Sequence, residues 1–247
     1  MSVFVISDLH LSTLDSTNKS MEVFGQRWAD YTNRLEQAWR RLVDEHDTVI
    51  IAGDISWALT LEEATSDLLF IESLPGQKIL IKGNHDFWWQ TASKLQAFCA
   101  RHHLDSLHFL HNNAFLVEDF VICGSRGWYH DSDAEGAKQA LADYDKIVNR
   151  ECIRLKLSLD QAHALAEEAV CPKEMICFLH FPPIWCEKEC APILSVLKEY
   201  GVDRLYFGHI HGAVPTTFTH ENIEMTLTAA DALGFVPKLI SPQIEGK

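Results

Sequence analysis

The chain has no apolar run long enough to span a membrane or to form the core of a secretion signal, and its first strand-like run begins at residue 3. Linkers rich in Pro, Gly or Ser are missing, as are low-complexity tracts and any repeat period. Basic residues are scarce: 21 Lys and Arg stand against 35 Asp and Glu, a formal net charge of −14. No basic patch offsets this, since Arg40-Arg41 and Arg150/Arg154/Lys156 read as ordinary helix-face charges. Such a surface repels nucleic-acid backbones and anionic membranes, so neither is an expected partner. A phosphorylated small molecule remains compatible, because bound dications would reverse the local field. Zinc-finger spacing is absent too. The seven cysteines are scattered, and Cys186/Cys190 has no second pair to complete a structural site. Reduced thiols in a cytoplasmic protein are the expectation.

What remains is 247 residues, 47% of them apolar, enough for one sizeable core and a single domain over residues 1–247. Val3–Ser7, Thr48–Ala52, Lys78–Lys82, Met175–Leu179 and Arg204–Phe207 are short apolar runs of the kind found in sheets covered on both faces. Helical spacing predicts a helix over about 22–45, with its aromatics as core packing. The Thr60-x-x-Glu63 capping box opens another to about Ser73, and further helices are predicted over about 91–103 and 190–200. Strand–helix–strand alternation of this sort marks a layered α/β protein.

The middle and the tail read differently. Leu107–Leu110, Ala114–Val117 and Phe120–Cys123 are predicted as antiparallel hairpins. A charged, helix-rich stretch runs from about 133 to 170, restarted by a second capping box at Ser158-Leu159-Asp160-Gln161. The segment near 130–172 is thus the candidate cap over, or flap beside, an active site. Val214–Phe218, Ile223–Leu227 and Phe235–Leu239 alternate like edge strands of a second sheet.

The chemistry collects where strands stop. Val3–Ser7 runs into Asp8-Leu9-His10, Thr48–Ala52 into Gly53-Asp54, Lys78–Lys82 into Gly83-Asn84-His85-Asp86, and Arg204–Phe207 into Gly208-His209-Ile210-His211-Gly212. A turn explains the Gly and Asn of any one cluster. It does not explain why four of them carry metal-ligand side chains. In Asp-x-His and His-x-His, extended backbone aims both side chains to one side. Carboxylate, imidazole and amide oxygen together suit Mn²⁺ first, then Fe or Zn²⁺.

The order Asp-x-His, Gly-Asp, Gly-Asn-His-Asp, an isolated His and Gly-His-x-His closely resembles that of the calcineurin-like metallophosphoesterases, from Asp8 to Gly212. The resemblance implies a four-layer α/β/β/α sandwich of the metallo-dependent phosphatase type, with a site for two divalent metal ions at the strand ends. Carried over to this sequence, Asp8, His10 and His211 would hold one metal and Asn84, His180 and His209 the other, bridged by Asp54. His85 would be the catalytic histidine and Asp86 the acid that orients it. The implied reaction is hydrolysis of a phosphomonoester or phosphodiester by attack of a metal-bridging hydroxide.

Arg126 is a candidate phosphate ligand and Trp88, with Trp89, a candidate stacking surface for the leaving group; a turn-surface Arg and helix packing are the plain alternatives. One departure stands out: where the family often writes Gly-Asp-x-x-Asp or Gly-Asp-x-x-Asn, this chain has Trp57, which alters the substrate wall near that metal. Rival readings are a nuclease of the superfamily, a protein phosphatase and a non-catalytic scaffold. Net charge argues against the first. Trp57-Ala58 and Phe87-Trp88, in place of the protein-phosphatase signature, argue against the second. The full ligand set argues against the third.

Overall fold

Side-chain alternation along the strands builds this fold, because each strand has one residue set for the centre of the molecule and another for an outer helix layer. The computed structural model describes residues 1–13, 20–128 and 138–241. The first sheet has the order β13-β1-β2-β3-β4, formed by Lys238–Ile240, Val3–Ile6, Thr48–Ala52, Gln77–Ile81 and Leu107–Leu110. In the second the order is β11-β12-β10-β7-β6-β5, formed by Thr217–His220, Ile223–Leu227, Arg204–Phe207, Glu174–Leu179, Phe120–Ser125 and Phe115–Val117. A small ribbon pairs β8 (Ile184–Trp185) with β9 (Lys188–Glu189). Strands β1 to β4 run parallel, as do β6, β7, β10 and β12, while β13, β5 and β11 are antiparallel edges.

Val3, Val5, Ile50, Ala52, Ile79 and Ile81 of the first sheet meet Ile122, Ile176, Phe178 and Tyr206 of the second in a shared central layer. The alternate residues Phe4, Ile6, Val49, Ile51 and Leu80 face the helices α1 (Tyr31–Leu42), α2 (Thr65–Glu72) and α3 (Ala92–His102). Val121, Cys123, Cys177, Leu205 and Phe207 face α4 (Lys138–Glu168) and α5 (Ala191–Glu199). The result is the four-layer α/β/β/α sandwich. Among the described residues no helix is long and apolar enough to cross a membrane.

Several local expectations change. The predicted helix over 22–45 is two 3₁₀ turns, Met21–Phe24 and Gln26–Trp28, followed by α1. Gly25, at φ 107°, and Asp30, at φ 51°, break the helical path. Phe24, assigned to the core on the helical pattern, is 70% exposed. Thr60 and Glu63 do bond to backbone N–H groups, of Glu63 and Leu59, but α2 begins only after that turn. Of the central strands, β5 and β6 form the hairpin, whereas β4 joins β3 in parallel. The last strand, β13, extends the first sheet beside β1.

Ser158 does not restart a helix: α4 is continuous, and the Ser158 hydroxyl donates to Asn113 O at 2.7 Å and accepts from Gly124 N at 2.9 Å. Where the sequence suggests a cap, α4 is an outer-layer helix, with Val148, Leu155, Leu159 and Ala162 packed over the second sheet. Residues 129–137 of the predicted cap segment lie outside the described residues.

Candidate metal centre

Parallel strands deliver their C-terminal ends to one edge of the molecule, and the loops leaving those ends carry the polar clusters. Asp8 and His10 follow β1, Asp54 follows β2, Asn84 to Asp86 follow β3, His180 follows β7, and His209 and His211 follow β10. The two sheets are tied together there by Ser7, whose N–H donates to Thr228 O and whose carbonyl accepts from Ala230 N, both at 2.9 Å. Neighbouring loops are tied in the same way, Asp8 N to Gly53 O at 2.8 Å and His10 N to Asp54 O at 2.9 Å.

Asp8, His10, Asp54 and His209 all have positive φ, between 46° and 70°. Non-glycine residues held there cost on the order of 1 kcal/mol each, a strain that collects at functional sites. Two glycines make the crowding possible. A Cβ on Gly83 would lie 2.1 Å from Asp54 Oδ1, and one on Gly208 would lie 2.3 Å from Asp8 Oδ2. Any side chain at either position would displace a carboxylate of the cluster.

Two groups of ligand atoms result: Asp8, His10 and His211 in one, Asp54, His180 and His209 in the other, each within 4.8 Å. Asp54 Oδ2 lies 3.6 Å from His10 Nε2 and 3.5 Å from His180 Nε2, so it faces both. Asn84 Oδ1 is 2.7 Å from His180 Nε2. All seven residues carried over from the sequence therefore meet at one place, the isolated His180 included.

The donor set fits divalent cations. Burial, together with the Asp54 charge, raises the Asp8 carboxyl to about 8, and burial raises that of Asp54 as well. Burial also holds the His180 and His209 imidazoles down near 3 and His10 well below its ordinary value. For His211 burial opposes the charged form, but the hydrogen bond to Asp231 and the Asp8 and Asp54 charges outweigh it, and its pKa rises. His10 Nε2 and His211 Nε2 face each other at 3.0 Å, and His10 Nδ1 is buried with no hydrogen-bond partner. Buried carboxylates that resist their own charge, beside imidazoles kept neutral, form a site that positive ions would stabilise.

The sequence profile of calcineurin-like phosphoesterases matches residues 1–213. The chain belongs to that family. No curated protein matches it significantly. The phosphopantetheinyl hydrolase PptH of Mycobacterium tuberculosis shares the fold, with a TM-score of 0.54 at 13% identity over 100% of this chain and 98% of that one. TT1561 of Thermus thermophilus does so with a TM-score of 0.52 at 7% identity, covering 97% of each chain.

Within this calcineurin-like phosphoesterase, three sequence assignments need correction. Asp86 is fully buried and accepts from Ile55 N, Ser56 N and Trp88 Nε1 on Oδ1 and from Gly83 N on Oδ2; none of these bonds goes to His85. It locks the loop after β3 onto the loop after β2 and does not orient the histidine. Trp88 is fully buried and holds Asp86, and Trp89 donates to His111 Nδ1 at 3.0 Å, so neither offers a face to a substrate. Phe87, which is 59% exposed, is the residue of that run beside the His85 ring, with ring centres 6.4 Å apart. Arg126 is engaged at 3.1 Å by Glu151 of α4 and lies over the Trp128 ring, which leaves it a structural tie and not a free phosphate donor.

One residue escaped the sequence reading. Asp231 accepts from Gly212 N at 2.9 Å and Arg27 Nη1 at 3.2 Å, and its Oδ1 sits 3.0 Å from His211 Nδ1. A lone Asp in Ala-Ala-Asp-Ala has no local signature that would have revealed it.

Proposed function

We propose that the two ligand groups bind two divalent cations, Mn²⁺ foremost with Fe or Zn²⁺ as alternatives, and that the protein hydrolyses a phosphate ester of a small molecule. The observation that carries this reading is the position of Asp54, whose carboxylate faces an imidazole of each group at 3.5–3.6 Å. When bound, such a pair of ions polarises phosphoryl oxygens and lowers the pKa of a water.

The chain's own residues supply the rest. Asp8 and Asp54 bring negative charge to balance the ions, and the neutral His10, His180 and His209 offer lone pairs without first shedding a proton. His85 is held by its backbone N–H, which donates to Asp54 Oδ1 at 2.8 Å. Its side chain is 36% exposed, with Nε2 4.0 Å from Asp54 Oδ2. From that rim it can give a proton to the departing oxygen as the phosphorus–oxygen bond breaks. The net charge of −14 supports a small substrate over nucleic acid.

The test is hydrolysis of p-nitrophenyl phosphate and bis(p-nitrophenyl) phosphate by metal-stripped protein with Mn²⁺ added back. Turnover that depends on Mn²⁺ supports the proposal, and the better ester assigns monoester or diester preference. Two bound metals per chain with neither ester cleaved would count for the scaffold reading.

A further inference from the structure

Beside the metal centre a cavity of about 540 Å³ opens, within the range of small-molecule sites. It is lined by the buried His10, by the partly exposed His85 and His211, and by Met21, Phe24, Trp28 and Trp57. The Trp57 indole lies nearly parallel to the His10 ring, with centres 4.9 Å apart and planes at 25°, and 4.3 Å from the His85 ring. Trp28 meets His211 edge-on at 5.6 Å. Phe24, which is 70% exposed, lines the same cavity.

Among the described residues the one guanidinium at the cavity, that of Arg27, is paired with Asp231 at 3.2 Å and bonds to Ala213 O at 3.1 Å. No other Arg or Lys stands beside it among the described lining residues. Trp57 stands where the family often has Asp or Asn, so an aromatic face replaces a polar one next to the reacting groups.

The geometry points to a substrate whose ester-linked organic group is a flat, uncharged aromatic or heteroaromatic moiety, seated between Trp57 and Phe24 while its phosphate meets the ligand cluster. This rests on the phosphoesterase reading for the reaction, but the aromatic seat is a binding property that can be measured without turnover. Phe24 and Trp57 set specificity, and a charged or purely small alkyl group would gain little contact with either ring.

The experiment has two arms, run on wild type, Phe24→Ala and Trp57→Asn. Phe24 is exposed, so its replacement leaves the core intact, and metal content is checked for each variant. In the first arm, binding of 2-naphthol to metal-stripped protein is followed by the fluorescence anisotropy of the naphthol. Saturable single-site binding, weakened about 5–10-fold in each variant, is expected from the loss of one aromatic contact. In the second arm, kcat/KM for 2-naphthyl phosphate and for ethyl phosphate is compared between each variant and wild type with Mn²⁺, so that intrinsic leaving-group reactivity cancels. The naphthyl ester should lose about 5–10-fold more than the ethyl ester. Absence of naphthol binding, binding equal in all three proteins, or equal losses for both esters would overturn the aromatic seat while leaving phosphoester hydrolysis standing. Naphthol binding as expected with no ester cleaved would uphold the seat and sink the hydrolase reading instead.

Discussion

Asp231 Oδ1 lies 3.0 Å from Nδ1 of His211, on the side of the ring away from Nε2, which faces Asp8 Oδ1 at 3.6 Å. The carboxylate fixes the tautomer and the orientation of a ring that is otherwise one-third exposed, and Arg27 and Gly212 in turn hold the carboxylate. Partners of this kind raise ligand basicity, and losing one typically costs about 10–100-fold in metal affinity. Asp231→Asn should therefore weaken Mn²⁺ binding at the Asp8, His10 and His211 group by about that factor. Titration against a competing chelator measures it, and an affinity equal to wild type would remove Asp231 from the site.

In the proposed reaction His85 acts on the leaving group and does not hold metal. His85→Ala should keep two metals per chain while kcat falls about 10²–10⁴-fold, the usual worth of a positioned proton donor. Metal content and single-turnover rate, measured on the same preparation, decide the matter: metal lost in step with activity would make His85 a ligand.

Asp86 separates a structural role from a catalytic one. Asp86→Ala would leave the N–H groups of Ile55, Ser56 and Gly83 and the Trp88 indole without their acceptor, all of them buried. A loss of roughly 3–5 kcal/mol in urea unfolding is expected from several unsatisfied donors at once. An acid that only oriented His85 would instead lower kcat and leave the unfolding midpoint where it was.

Stability should depend on pH in a way that metal abolishes. Burial and the Asp54 charge raise the Asp8 carboxyl to about 8 and the Asp86 carboxyl to about 7. The folded metal-free protein thus binds protons that the unfolded chain has already released, and its stability falls as pH rises through these values. His180 and His209, held near 3, give the opposite slope, but theirs is complete above the ordinary histidine value of 6.5. Between pH 6.5 and 8 the carboxyl effect remains, and His211, whose pKa is raised above 6.5, adds to it with the same sign. The melting temperature of chelator-treated protein should fall across that window, and Mn²⁺ should flatten the fall by taking the place of the protons. A melting temperature that holds or climbs from pH 6.5 to 8 in chelator would contradict this account.

The candidate ligand cluster was legible in the chain because chemistry dictates residue type at strand ends, where packing does not. Asp8-x-His10, Gly53-Asp54, Gly83-Asn84 and Gly208-His209-x-His211 are short enough to read whole, and their glycines answer to carboxylates pressed against the backbone. The alternation of buried strands and amphipathic helices likewise announced a layered α/β protein. Ring type, in contrast, does not reveal direction. Trp88 and Phe87 are adjacent and both aromatic, and only the turn after Asp86 sends the first into the core and the second to solvent. Phe24 fits the helical pattern of its neighbours, but Gly25 ends that path and leaves the ring exposed.

Residue order settled the kind of chemistry: which donors, in which succession, at which strand ends. Which of them meet, and what stands behind them, was left to the folded chain. Asp54 faces both groups, Asp231 backs His211, and Asp86 clamps two loops and not a histidine, because these contacts join loops far apart in the chain. Local spacing cannot encode such pairings; the packing of two sheets through one central layer does.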